Sequence, residues 1–157
     1  MALTAILGVY GLVLLLHPER YGFLDSLDLA IHETGHLVFG PFGEFTGSLG
    51  GTLMQLIVPL VFGGYFLHRG DRHAATVALW WVAQNLWNIS VYVSDARAQE
   101  LPLVGGGEHD WAYLLDRLDL LSKDLAIGRA VHLLGVVLYV LSLAGGAVTA
   151  GEEPAET

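Results

Sequence analysis

The chain contains no cysteine. That excludes disulfides, thiolate metal ligands and a cysteine nucleophile together, so any metal ion must be held by His, Asp or Glu. Charge is also scarce. Only 15% of the 157 residues are Asp, Glu, Lys or Arg, against about 25% in an ordinary soluble domain. Bases are the scarcer sign. Seven Lys and Arg against 16 Asp and Glu leave a net charge of −9, which argues against a nucleic-acid partner, because binding one requires basic residues that neutralise phosphates. The apolar run ALTAILGVYGLVLLL has no Lys or Arg before it and no small-residue cleavage pattern after it. It is therefore expected to be a retained span and not a cleaved leader. Internal repeats and period-two alternation are lacking too, so strands are not expected.

What remains is apolar: 54% of the chain is hydrophobic and the mean hydropathy is +0.54. Four apolar runs carry it, at about 2–16, 49–67, 74–93 and 125–148. A bilayer core needs roughly 20 apolar helical residues. The last three runs meet that length and the first is short. The expectation is an all-α integral membrane protein with about four transmembrane helices, forming a single helical membrane domain over 1–148. An acidic, disordered tail over 149–157 follows. Arg20, Arg97, Arg117, Lys123 and Arg129 fall on one side of such a topology, and Arg69 and Arg72 on the other. The excess of bases places the first side in the cytoplasm of a prokaryotic-type cell membrane, with the protein crossing several times.

Between the first two runs stands HETGH, residues 32–36. Leu27, Leu29, Ile31, Leu37, Val38 and Phe39 surround it with apolar positions. Asp25 or Ser26 can cap a helix start, and Gly40-Pro41 ends it. This helix is too short to span and is expected to dip into the membrane or lie along its edge. Positions four apart share a helix face, so His32 and His36 can hold one zinc ion. Glu33 sits just off that face, where it can take a proton from a water at the metal. Gly35, inside the motif, costs helix stability but permits close approach of another backbone or a substrate.

The stretch HETGHLVFG followed by GSLGGTLMQLIVPL resembles the core of intramembrane zinc metalloproteases, the site-2 protease class. The resemblance covers about Asp28 to Leu60, and HExxH is its specific part. It implies zinc-dependent hydrolysis of peptide bonds within or beside the bilayer, Glu33 as general base, and a membrane protein or peptide as substrate. That class usually takes its third zinc ligand from an aspartate in an Asn-Pro…Asp-Gly segment, and neither dipeptide occurs here. Two alternatives stay open: a zinc-dependent hydrolase of lipid amides or esters, and a non-catalytic membrane scaffold or metal-binding protein. Glu33 argues against the second, because metal binding alone does not require it.

The third ligand must share a membrane face with HETGH. The connection GGGEHDW meets that condition, whereas His68 and His73 lie on the opposite side. His109 is the first choice, approached through Gly105–Gly107, with Asp110 orienting a ligand beside it. Asp95 is the alternative. It ends a polar stripe of Asn85, Asn88, Tyr92 and Asp95 at helical spacing, expected to face the bundle interior. Asn88 or Asn85 could donate to a developing oxyanion. His132 is expected to be a buried hydrogen-bonding residue. An amphipathic helix is expected over about 111–121, where Leu114, Leu115, Leu118 and Leu121 share a face.

Overall fold

A computed structural model describes residues 1–103 and 108–151. Within these, all regular structure is helical. The helices are α1 (Ala2–Leu16), α2 (Phe23–Phe39), α3 (Glu44–His68), α4 (Arg72–Ser94), α5 (Asp110–Arg117) and α6 (Asp124–Thr149). Short 3-10 turns occupy Gly40–Phe42 and Leu121–Lys123. Gly105–Gly107 and most of the expected acidic tail lie outside the described residues.

Helix α4 is the centre of the bundle. It packs most extensively against α6, then α3, and also meets α1 and α5. Asp71 caps it, its Oδ1 accepting from Ala74 N at 2.9 Å. Trp80, Ala83 and Trp87 of α4 form one core cluster with Leu14 and Tyr139. Ile89 and Val93 form a second with Ala96 and Leu115. Small residues on α6 let the two helices approach. A Cβ at Gly128 would lie 2.9 Å from Ser90 O, and one at Gly135 would lie 2.7 Å from the Trp87 ring. Helix α1 is tied on by Trp80, whose Nε1 donates to Leu7 O at 3.0 Å, and by Tyr139, whose hydroxyl donates to Gly8 O.

The crossing of α2 and α3 is set by glycine. A Cβ on Gly35 would lie 2.6 Å from Gly50 C, and one on Gly50 would lie 2.7 Å from Gly35 O. The backbone approach anticipated for Gly35 is therefore made by α3. Helix α2 begins where Asp25 Oδ2 accepts from Gly22 N at 2.6 Å, and ends at the Gly40-Pro41 turn.

The all-helical class stands, but the expectation of about four membrane-crossing helices is corrected. Among the described residues, only two helical stretches, Glu44–His68 and Leu121–Thr149, are long and apolar enough to cross a bilayer. At 15 residues, α1 extends only about 22 Å at 1.5 Å per residue, short of a core about 30 Å thick. Helix α4 is long enough, but Gln84, Asn85 and Asn88 lower its hydropathy. Much of its surface is buried by its neighbours. A multi-pass membrane protein is not what these helices support. The amphipathic helix starts one residue earlier than expected and stops at Arg117.

Candidate metal centre

The HETGH residues lie on the face of α2 that meets α3 and α5. His32 is buried, His36 half-buried and Glu33 exposed. The two imidazoles stand edge to face, with ring centroids 4.7 Å apart. Asp110, the first residue of α5, meets them: its Oδ2 is 3.2 Å from His32 Nε2 and 3.4 Å from His36 Nε2. Ligand atoms of these three side chains all lie within 4.8 Å of one another.

The hydrogen bonds around this cluster fix which nitrogens face it. His36 Nδ1 is 2.8 Å from Gly47 O. A carbonyl oxygen only accepts, so Nδ1 carries the hydrogen. His32 Nδ1 is 2.8 Å from Gln55 Oε1. The Gln55 amide is oriented by its other end, since Nε2 donates to Asn85 Oδ1 at 3.3 Å and to Asn88 Oδ1 at 3.2 Å. His32 therefore donates from Nδ1 as well. In their neutral forms both imidazoles turn an Nε2 lone pair toward the same carboxylate oxygen. Three acceptors so placed repel one another unless a proton or a cation joins them.

Burial opposes a charge on His32, but hydrogen bonds to Asp110 and Gln55 and the nearby carboxylates outweigh it, so its pKa is raised. A metal ion would compete with that proton. The two distances to Asp110 Oδ2 fit one. Tetrahedral zinc with ligands at about 2.0–2.1 Å separates its donors by about 3.3 Å, between the two observed values. Two imidazoles and a carboxylate would then hold the ion, with both Nδ1–H groups anchored as such sites require.

Three elements aim Asp110. The Tyr92 hydroxyl donates to Asp110 Oδ2 at 3.1 Å and accepts from Asp110 N at 3.2 Å. Trp111 Nε1 donates to Thr52 Oγ1 of α3 at 3.1 Å. Leu114 and Leu115 are buried beneath α5. The Tyr92 hydroxyl holds its proton above the ordinary value, first through burial and then through the Asp110 charge.

His109 and Asp95 are not brought to the histidine pair. They face each other, His109 Nε2 lying 3.3 Å from Asp95 Oδ2. His109 Nδ1 accepts from Ala112 N at 3.2 Å and so caps α5, while its ring stacks on Tyr92 at 4.2 Å. Asp95 accepts from Glu100 N and Leu101 N and so closes the turn after α4. The structure thus gives His109 and Asp95 supporting positions behind Tyr92, and puts Asp110 where either was expected. Asn88 lines the same cleft as the histidines. Its Nδ2 donates to Asp25 Oδ1 at 3.2 Å, which leaves one amide hydrogen uncommitted. Asn85 is buried and donates to Trp81 O. His132 lies beside Trp87, with ring centroids 6.4 Å apart.

The cleft has a volume of about 690 Å³. Glu33, Asp110 and both histidines line it, and Tyr21, Leu101 and Leu103 add apolar walls from the α1–α2 and α4–α5 connections. Gln55 and Gly51 escaped the sequence reading. Gln55 carries a signal, being the one amide within the apolar run 49–67. Gly51 carries none: only the fold shows that a Cβ there would lie 2.5 Å from His32 Cε1. Comparison of the chain with protein-family models, curated proteins and solved structures gave no significant match.

Proposed function

We propose that this chain is a zinc-dependent hydrolase, a metalloprotease acting on peptide bonds at a membrane. One observation carries the proposal: two imidazole Nε2 atoms and the Asp110 carboxylate converge at 3.2 and 3.4 Å, with both Nδ1 atoms committed elsewhere, on the wall of a cleft that Glu33 also lines. His32, His36 and Asp110 would hold the ion, which when bound would supply Lewis acidity and an acidified water. Glu33 acts as the base. No described side chain is hydrogen-bonded to it, so its carboxylate is free to take a proton from water in the cleft and return it to the leaving amine. The resemblance of residues 28–60 to the site-2 protease class supports the choice of a peptide substrate.

The membrane setting rests on α3 and α6. Only 33% and 22% of their most apolar windows are buried, whereas the core helix of a soluble protein would be mostly covered. Leu60, Val61, Leu133, Val137 and Val140 are among the large side chains left exposed, in an arrangement suited to lipid. In this proposal the exposed apolar surfaces of these two helices hold the chain at a cell membrane, with the cleft toward the cytoplasmic face.

The test is elemental analysis of the purified chain together with hydrolysis of a peptide library in detergent or vesicles. One zinc per chain and peptide cleavage are expected. Glu33→Gln should keep the metal and lose at least about 100-fold in rate, the lower range for removing a general base. Metal-free wild-type protein, or full activity in Glu33→Gln, would overturn the proposal.

A further inference from the structure

Beneath the histidine pair lies a buried polar chain that the hydrolytic reading does not use. Gln55 is 3% exposed and Asp25 is 8% exposed. From the metal side, His32 Nδ1 donates to Gln55 Oε1 at 2.8 Å. Gln55 Nε2 donates to Asn88 Oδ1 at 3.2 Å, and Asn88 Nδ2 donates to Asp25 Oδ1 at 3.2 Å. Every donor points the same way, from the imidazole toward the carboxylate. An amide placed between a donor and an acceptor is polarised by both, so the two amides carry the influence of the Asp25 charge to the imidazole.

We propose that Asp25, Asn88 and Gln55 form a relay that locks His32 in its Nδ1–H form and raises the electron density at its metal-facing Nε2. This rests on the metal reading above. Metal-binding histidines commonly donate their second N–H directly to a carboxylate or carbonyl. Here the carboxylate stands two amides away, on the first turn of α2 itself. Asp25 also accepts from Gly22 N, so one side chain fixes the start of the motif helix and orients the motif's first histidine about two turns further on. Asn88 is then a positioning residue that acts through Gln55. Pro59 lies one turn beyond Gln55 in α3 and is buried there. Having no N–H, it leaves the Gln55 carbonyl without its usual helical partner.

The test uses the full chain in detergent with two readouts. The first is zinc affinity by chelator competition, with the visible spectrum of the cobalt-substituted protein. The second is the ¹⁵N imidazole spectrum of the metal-free protein, which reports the His32 tautomer directly. Gln55→Leu should lower zinc affinity by about 10–100-fold and populate the Nε2–H tautomer. Asp25→Asn should weaken binding because it removes the charge at the end of the chain, and Asn88→Asp because it sets two carboxylates against each other where Asn88 Nδ2 now donates to Asp25 Oδ1. The double variant Asp25→Asn/Asn88→Asp restores a donor between these two positions, with the carboxylate one link closer to His32. It should bind zinc more tightly than either single variant and return the cobalt spectrum toward wild type. A merely structural network would not be rescued by exchanging the two side chains. Single variants with wild-type affinity and tautomer, or a double variant no better than either single one, would overturn the relay. If wild-type protein binds no zinc, the metal reading falls, and the tautomer measurement still decides whether the relay orients His32.

Discussion

Gly51 lies directly against the His32 ring, and substituting it tests the metal centre without replacing any proposed ligand. A Cβ at Gly51 would lie 2.5 Å from His32 Cε1 and 2.6 Å from Cδ2. Carbon atoms in comfortable contact are about 3.5 Å apart, so the ring must retreat by about 1 Å. Metal–ligand distances hold to about ±0.2 Å, so the displacement is several times the tolerance. It also pulls Nδ1 from Gln55 Oε1. Overpacking of this kind costs about 1–3 kcal/mol of stability, whereas misaiming one of three ligands should cost zinc affinity at least the 10–100-fold typical of a lost orienting contact. Gly51→Ala should therefore fold, melt somewhat early and bind zinc weakly. Gly64→Ala, on the same helix with nothing within 4 Å of its new Cβ, is the control and should match wild type. Chelator competition and thermal melting of the metal-free proteins separate the two effects. If Gly51→Ala binds zinc as tightly as Gly64→Ala, the ring is not held where the metal reading needs it, and the reasoning fails.

Asp110→Ala should abolish tight zinc binding, whereas His109→Ala should retain it and lose about 1 kcal/mol with the α5 cap; the opposite ranking by titration would make His109 the ligand. Zinc at about 100 times its dissociation constant should stabilise the fold by about 2.7 kcal/mol, so a chelator that leaves the melting temperature unchanged would count against a folded-state metal site. Asp28 is fully buried, and burial raises its pKa, opposed by the Trp81 hydrogen bond. Its folded value stands above the unfolded one, so the stabilisation is fully present below the unfolded carboxylate pKa of about 3.9 and is lost as pH rises through the folded value. Melting from about pH 4 upward should accordingly favour Asp28→Asn increasingly over wild type, and a constant difference between the two would show that Asp28 does not titrate in this way.

Much of α2 was legible. Four-residue spacing put His32 and His36 on one face, and Gly40-Pro41 ended the helix as its backbone restrictions require. The polar stripe of α4 was legible too, because amides and a tyrosine at helical spacing have to meet other polar groups inside a bundle. The number of membrane-crossing helices was not. Counting apolar stretches as spans leaves unweighed the polar amides inside them, and length and composition within the helix bounds leave two among the described residues. The run 74–93 passes as a span by eye, yet its helix is wrapped by α1, α3 and α6 and keeps its amides for Gln55 and Asp25.

The third ligand shows the same limit at the scale of one residue. His109 and Asp110 are neighbours, and both carry a donor suited to zinc. Which of them reaches the site depends on where α5 begins. His109 is the cap, so its ring folds back onto Ala112 N. Asp110 is the first helical residue, where a carboxylate is favoured by the helix dipole whether or not a metal is present, so its chemistry alone gives no signal. The deciding contacts are tertiary. Trp111 to Thr52 and Tyr92 to Asp110 set the rotation of α5 against α3 and α4, and these partners are 59 and 18 residues distant in the chain. Trp111→Phe tests that account, because it keeps an aromatic ring, though a smaller one, and removes the bond to Thr52. If that bond sets the angle of α5, the variant should weaken zinc binding while leaving His32, His36 and Asp110 chemically intact. Unchanged affinity would mean that Leu114, Leu115 and Tyr92 suffice to aim the carboxylate.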